Sequence, residues 1–358
     1  VMLSTSWTSL SAISSISFLA RSAPSSVMRM PTTSLTLLET ARCNTGICKR
    51  PISQPSLAAR EATESSGRPA HAPICAAAHV ARGLESLGLH ALLHGVIGKD
   101  DAGKIILDSL NDEGVDCKYI QSVENKVTTV KNRLIASRPS LLHNEQLLLR
   151  WDIENREDIP ASTLDALINE ALQNLNDANV LIISDYGHGV VNDEGAKRLI
   201  ERAKEKEIPV IYDPKLTGLH RTHEVDWVIF QSRGLELVRR RINAEDSADC
   251  ARKLLDEYHW GHLMVLGGAD GVTVYTNDDI FHTPCTLTNP LQVIGLIDAA
   301  CTAVASAVSL GIDIHDCAHL ANAACEVIMS QMDNFTLSRE NLCLRLDELS
   351  WNLSISQR

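Results

Sequence analysis

Asp298 stands in the stretch Val293-Ile294-Gly295-Leu296-Ile297-Asp298-Ala299, directly before a run of small residues from Ala300 to Gly311. A carboxylate in the first turn of a helix is favoured by the helix dipole. Such an acid serves either as a simple cap or as a general base where a helix opens at a sheet edge. The Ala- and Ser-rich helix that follows packs closely, which favours the second use. Five other segments carry groups able to do chemistry. Gly267-Gly268-Ala269-Asp270-Gly271 lies between two predicted strands and is a hairpin turn or a nucleotide loop. It is no Walker A loop, because no Gly-Lys-Ser/Thr follows. Asp213-Pro214-Lys215 ends a buried strand, and Lys215 there either meets a phosphate as a point charge or is solvated. Ser184-Asp185-Tyr186-Gly187-His188-Gly189 has two glycines that allow a ligand close to the backbone. Lys131 and Arg133 share one face of a predicted strand, as do Arg150 and Asp152 further on. Those faces are either solvated or bind an anionic sugar phosphate.

The elements that must position these groups follow from hydrophobic periodicity. Residues 76–87 and 101–113 read as helices, the second ending at Gly114. Residues 91–96, 117–123, 128–136 and 146–152 read as strands, and 160–174 as an amphipathic helix. Strands at 180–184, 210–213, 227–230, 262–266 and 272–276 alternate with helices at 193–206 and 244–258. That alternation predicts a parallel sheet covered by helices on both faces, with the ligand beyond the carboxyl ends of its strands. Helices near 298–310, 315–330 and 338–348 close the chain.

The 358 residues are 44% hydrophobic and 22% charged, with a net charge of −12. An acidic balance argues against a nucleic-acid surface, and no apolar run reaches the roughly 18 residues of a membrane helix. The ten cysteines lack Cys-x-x-Cys spacing, and Cys43 and Cys48 have no partners for a zinc set. Residues 1–40 are rich in Ser and Thr, with no acid before Glu39. They resemble an organellar transit peptide, plastid or mitochondrial. A disordered tail, a misplaced gene start (the chain opens on Val1) and a cytoplasmic protein are the alternatives. The expected organisation is a targeting or disordered segment over 1–72, one domain over 73–350 and a short tail over 351–358.

In order, several segments resemble the PfkB (ribokinase) family of carbohydrate kinases, in particular the heptose 7-phosphate kinase half of bifunctional ADP-heptose synthases. The resemblance spans roughly residues 74–348. It rests on 96–103 (Val-Ile-Gly-Lys-Asp-Asp-Ala-Gly), 128–133 (Thr-Thr-Val-Lys-Asn-Arg), 149–152, 184–189, 213–215, the 267–271 loop and Leu320-Ala321-Asn322-Ala323-Ala324. It implies an α/β three-layer sandwich with a mostly parallel central sheet and a small β-lid from about 116–152, through which two copies pair. It implies ATP as phosphoryl donor, Mg²⁺ bridging its phosphates and a sugar phosphate as acceptor, with no residue of the chain read as a metal ligand. Asp298 becomes the base that activates the sugar hydroxyl. Gly295 and the N–H groups up to Asp298 form an anion hole. Gly268, Gly271 and Asn322 border the ATP, and Lys131, Arg133, Asp185 and Lys215 the substrate.

The chain departs from the family pattern at several points. Gly-Gly-Ala-Ala-Asn near the sugar is replaced by Cys75-Ala76-Ala77-Ala78-His79, and a Lys by His188. Asn-x-x-Glu on the magnesium side falls on Ser232-Arg233-Gly234-Leu235, so its carboxylate is missing unless Glu236 replaces it. Ile297 stands where the anion hole has its second glycine, a site that a β-branched residue fits badly. The first strand, with its sugar-binding Asp, has no counterpart in residues 1–70. Two functions are compatible with this pattern: phosphorylation of a sugar or sugar phosphate by ATP, or a kinase-fold subunit that binds or scaffolds without catalysis.

Overall fold

The structure, a computed structural model, describes residues 76–137, 145–154, 158–331 and 335–356, with the backbone of 6–9 and 18–21. The chain runs through β1 (Ser6–Ser9), β2 (Phe18–Arg21), α1 (Ala77–Ser86), β3 (His90–Leu93), β4 (Gly95–Gly98) and α2 (Asp101–Asp112). It continues through β5 (Ile120–Val123), β6 (Val130–Ser137), β7 (Glu145–Ile153), α3 (Ala161–Asn174), β8 (Val180–Asp185) and α4 (Asp193–Glu205). Next come β9 (Val210–Pro214), β10 (Trp227–Gln231), α5 (Ser232–Arg241), α6 (Ser247–Tyr258) and β11 (His262–Leu266). The last elements are β12 (Val272–Tyr275), β13 (Ile280–Thr283), α7 (Leu296–Ser309), α8 (Ile314–Met329) and α9 (Arg339–Ser356).

An eight-stranded sheet in the order β13-β12-β11-β10-β9-β8-β2-β3 is the centre of the molecule. Strands β8 to β11 are parallel, as the α/β alternation predicts. The flanks are antiparallel, so the sheet is parallel only at its heart. Alternate residues of β8 face opposite layers: Val180 and Ile182 join one core, Leu181 and Ile183 the other. The first core takes α1, α2, α7, α8 and α9, and the second takes α3 to α6.

Helix α7 crosses β8, β9 and β10 and packs on α1 and α8. Its small side chains allow that approach; a Cβ on Gly83 of α1 would stand 2.7 Å from Thr302 Oγ1. Asp246 caps α6 by accepting from Asp249 N–H, which starts the helix at Ser247 rather than at 244. Helix α5 follows β10 without a loop and was hidden by Gly234 and its charges. Its Leu235 and Val238 are buried one turn apart, and Glu236 pairs with Arg239 and Arg240. Helix α9 runs on to Ser356, where a tail was expected.

Beside the sheet, β6 and β7 pair antiparallel with β1 added at the edge, and β4 pairs with β5 in parallel. Leu149, Trp151 and Ile153 alternate along β7 and are exposed. The place where no first strand was expected is filled by β2, which pairs antiparallel with both β3 and β8. Its sequence, Phe-Leu-Ala-Arg, contains no Asp. The expected transit segment, and the subcellular location it implies, lie outside the described residues, those two short strands excepted.

Candidate active site

The lid is hinged on Asp100. This residue caps α2 by accepting from Gly103 N–H at 2.8 Å, and its second oxygen accepts from Thr128 N–H at 2.8 Å. Thr128 Oγ1 in turn accepts from Gly98 N–H at 2.8 Å. A Cβ on Gly98 would lie 2.2 Å from Lys126 O, so only glycine permits the crossing. The 98–103 motif therefore fixes the base of the lid and with it Lys126 and Lys131.

Asp298 lies where β8, β9, α1, the lid and α7 converge. Gly295 adopts φ 85°, the left-handed conformation, and α7 begins at the next residue. The amides of Leu296, Ile297 and Asp298 thus open the helix with no carbonyl one turn behind them. Asp298 is buried, and Tyr186 Oη lies 3.4 Å from its Oδ1. Burial, and then the Asp213 carboxylate, push its carboxyl up to about 8; hydrogen bonds from Tyr186 and the Ala76 amide and the charge of Lys131 oppose the shift. Asp213 is pushed up to about 7 by burial, opposed by its own hydrogen bond to Tyr186. One phenol has one proton to donate, so contact with both acids is satisfied when one of them is protonated. Burial and the neighbouring charge thus favour the neutral form of both carboxyls.

A cavity of about 510 Å³ lies at the lid, lined by Lys126, Lys131, Arg150, His188 and Lys215 together with Asp152, Glu154 and Asp158. Asp298, Asp213 and Tyr186 do not line it, and Lys131 links the two through its charge on Asp298. Arg150 donates twice to Asp152, at 3.0 and 2.6 Å, and Lys131 faces Asp152 across the β6–β7 ladder. His188 titrates below its usual range because of burial and the charges of Lys215, Lys131 and Lys126. Arg133 does not line the cavity, although its charge reaches Asp152. Asp185 does not line it either. Its Oδ2 is bound by Arg221 Nη1 at 2.7 Å and its Oδ1 by Gly187 N–H at 2.9 Å, so it shapes the glycine loop from behind.

A sequence profile described as pfkB family carbohydrate kinase matches residues 76–336. The chain belongs to the PfkB family. Bifunctional protein HldE of Shewanella amazonensis is 30% identical to it over 268 residues, covering 74% of this chain and 54% of that one. HldE of Pseudomonas paraeruginosa is 30% identical over 280 residues with the same coverage. The chain thus spans about half the length of the curated relatives it matches. Among solved structures, Arabidopsis thaliana ribokinase complexed with ribose and ATP superposes with a TM-score of 0.59 at 17% identity, covering 75% of this chain and 86% of that one. Escherichia coli phosphofructokinase-2 in complex with fructose-6-phosphate superposes at 0.58 and 15% identity, covering 76% and 86%. These likenesses show the ribokinase-like fold.

In this PfkB chain the residues expected to border ATP have unequal surroundings. Gly268 (φ 63°) lies beside Val293, just before the start of α7. Gly271 (φ 92°) is required by packing alone, since a Cβ would stand 2.1 Å from Thr283 O. The 267–271 loop joins two antiparallel strands and is a hairpin connection as well. Asn322 is buried, and its Nδ2 faces Pro284 O and Glu326 Oε1, both at 3.3 Å. Its Nδ2 thus holds the loop that follows β13.

The departures from the family pattern also look different in three dimensions. Ile297 is the second residue of α7, its φ is not positive, and its half-buried side chain packs on the core. The strain expected of a β-branched residue there is absent, because Gly295 alone supplies the left-handed turn. Glu236 is no replacement for the missing acid: Arg239 and Arg240 occupy its carboxylate at 2.6–2.9 Å and hold it down at about 2. His79 turns its Nε2 to Phe335 O, 3.1 Å away. Among the described residues no three His, Cys, Asp or Glu are grouped to hold a metal ion. Sequence reading passed over Tyr186 and Asp213 as site groups. Their positions at the carboxyl ends of β8 and β9, adjacent parallel strands, are the signal that marks them.

Proposed function

We propose that this chain transfers the γ-phosphate of ATP to a hydroxyl of a phosphorylated sugar, as a heptose 7-phosphate kinase does. The observation that carries the reading is the placement of Asp298 in the first turn of α7, among the helix-start amides and within reach of the charge of Lys131, which lines the Lys- and Arg-bearing cavity. Asp298, once ionised, takes the proton of the sugar hydroxyl, whose oxygen attacks the γ-phosphorus while ADP leaves. The amides of Leu296 to Asp298 stabilise the charge on the transferring group. Gly295 and Gly268, with the exposed Val293 and Ile294 between them, fit a triphosphate and an apolar base. Mg²⁺ arriving with ATP would neutralise phosphate charge, and Asp213 and Asp298 would be candidate carboxylates to receive it. Lys131, Lys215 and Lys126 take the phosphate already on the sugar.

Calorimetry of the full chain with Mg-ATP, then turnover with a panel of sugar phosphates, tests this. Asp298→Asn is expected to lower kcat by about 10²–10⁴ while leaving nucleotide affinity near that of the unchanged protein. No binding at millimolar Mg-ATP would refute the kinase reading and leave the non-catalytic binding subunit. Turnover indifferent to Asp298→Asn would refute the site.

A further inference from the structure

The loop from Pro284 to Gly295 leads from the end of β13 to the anion hole, and α8 holds it along its length. Thr286 N–H donates to Glu326 Oε1 at 2.5 Å, and the Thr286 hydroxyl to the same oxygen at 3.2 Å. Farther on, Leu291 N–H donates to Met329 O at 2.8 Å and Gln292 Nε2 to Ile328 O at 3.1 Å. The Gln292 side-chain oxygen then accepts from Ile294 N–H at 2.6 Å, one residue before Gly295.

The anchor of this arrangement is Glu326, whose side chain is 0% exposed. Its second oxygen accepts from Arg345 Nε at 2.9 Å, and Arg345 comes from α9. Arg345 Nη2 also donates to Thr286 Oγ1 at 2.5 Å. Asn322 turns its Nδ2 to two acceptors, which leaves its buried Oδ1 without a hydrogen-bond partner. A buried carboxylate that receives donors from a loop and two helices cannot lose its counter-charge without the group shifting. We infer that Glu326 and Arg345 are positioning residues for the phosphate hole, so that nucleotide binding depends on the docking of α9. This rests on the reading of the start of α7 as that hole.

Two measurements on the full chain separate the possibilities. Amide hydrogen exchange without ligand is expected to quicken across 286–296 in Arg345→Met, and less so in Arg345→Lys. The double variant Glu326→Gln/Arg345→Met, which buries no unpaired charge, is expected to return close to the unchanged protein. Mg-ATP affinity should follow the same order, falling by about tenfold in Arg345→Met, with the KM for sugar phosphate moved by less than about twofold. If Arg345→Met does not fold, Arg345→Lys and the double variant carry the comparison. Unaltered exchange across 286–296 in the variants, with only the melting temperature lowered, would show a plain core ion pair and overturn the inference. Failure of the unchanged protein to bind Mg-ATP would instead overturn the kinase reading, while exchange still decides whether Arg345 positions the loop.

Discussion

In the proposed reaction the α7 end of the site would offer a phosphate backbone amides, whereas the lid end would offer side chains: Lys126, Lys131, Arg150 and Lys215. A backbone site depends on φ and ψ and is indifferent to most substitutions that keep them. A side-chain site is lost with the side chain. That difference explains why Ile297 leaves the helix start undistorted, while the replacement of an Asn by His79 redirects a polar group to Phe335 O. The largest effect is expected from Gly295→Val, which forces a β-branched residue to φ 85°. It should lower kcat by about 10²–10³, the scale of losing oxyanion-type donors. Ile297→Gly should change kcat by less than about fivefold. A large gain from Ile297→Gly would break the comparison, because the side chain would then be what blocks the hole.

The lid end is sharpened by Lys131→Met. Loss of one charge-assisted contact to a phosphate is expected to raise KM for a phosphorylated sugar by roughly 10–100-fold. The same variant should barely affect a free sugar of the same skeleton. Equal effects on both sugars would move the phosphate away from Lys131.

Asp298 and Asp213 sit between the two ends and give a smaller, pH-dependent effect. Folding raises Asp298 from 3.8 to about 8. The native state therefore holds protons that the unfolded chain gives up. The stability this contributes is complete below about pH 4, declines as pH rises toward 8 and is absent above it. Melting temperature should fall between pH 5 and pH 8.5, and less steeply in Asp298→Asn. Catalysis runs the other way, since the base works as an anion. The value of kcat/KM should rise by roughly five- to tenfold from pH 7 to 8.5. A flat profile in both measurements would mean that Asp298 is ionised throughout.

How much was legible in the sequence follows the same division. The parallel strands β8 to β11 were readable because each is a short apolar run ended by polar or glycine residues. Asp298 and Gly295 were readable because a helix start leaves a local pattern. The coupling of Asp213, Tyr186 and Asp298 was not, since it arises from burial and joins residues 27 and more positions apart on two strand ends and a helix. The surroundings of Asp185 and Asn322 were not legible for a related reason. Their residue types suit a ligand, but Arg221 and Glu326 claim them from elements distant in sequence. Spacing shows which groups lie on one face; it does not show which of them a distant element already engages.

The smallest effect tests the backbone side of the comparison at its other edge. Ala76, before α1, adopts φ 64° and ψ −144°, a conformation open almost only to glycine, and its amide donates to Asp298. The family pattern has glycine at this position, so the backbone shape has outlasted the residue that made it easy. Holding an alanine there costs of order 1–3 kcal/mol, while a glycine would lose about 0.4–1 kcal/mol more in backbone entropy on folding. Ala76→Gly should therefore stabilise the protein by about 1 kcal/mol, read as a higher denaturant midpoint at unchanged slope. It should leave kcat within about twofold, because the amide and not the side chain meets the carboxylate. Destabilisation by Ala76→Gly would mean that the alanine methyl, packed in the core, holds the turn in place, and that this edge of the site belongs with the side-chain end.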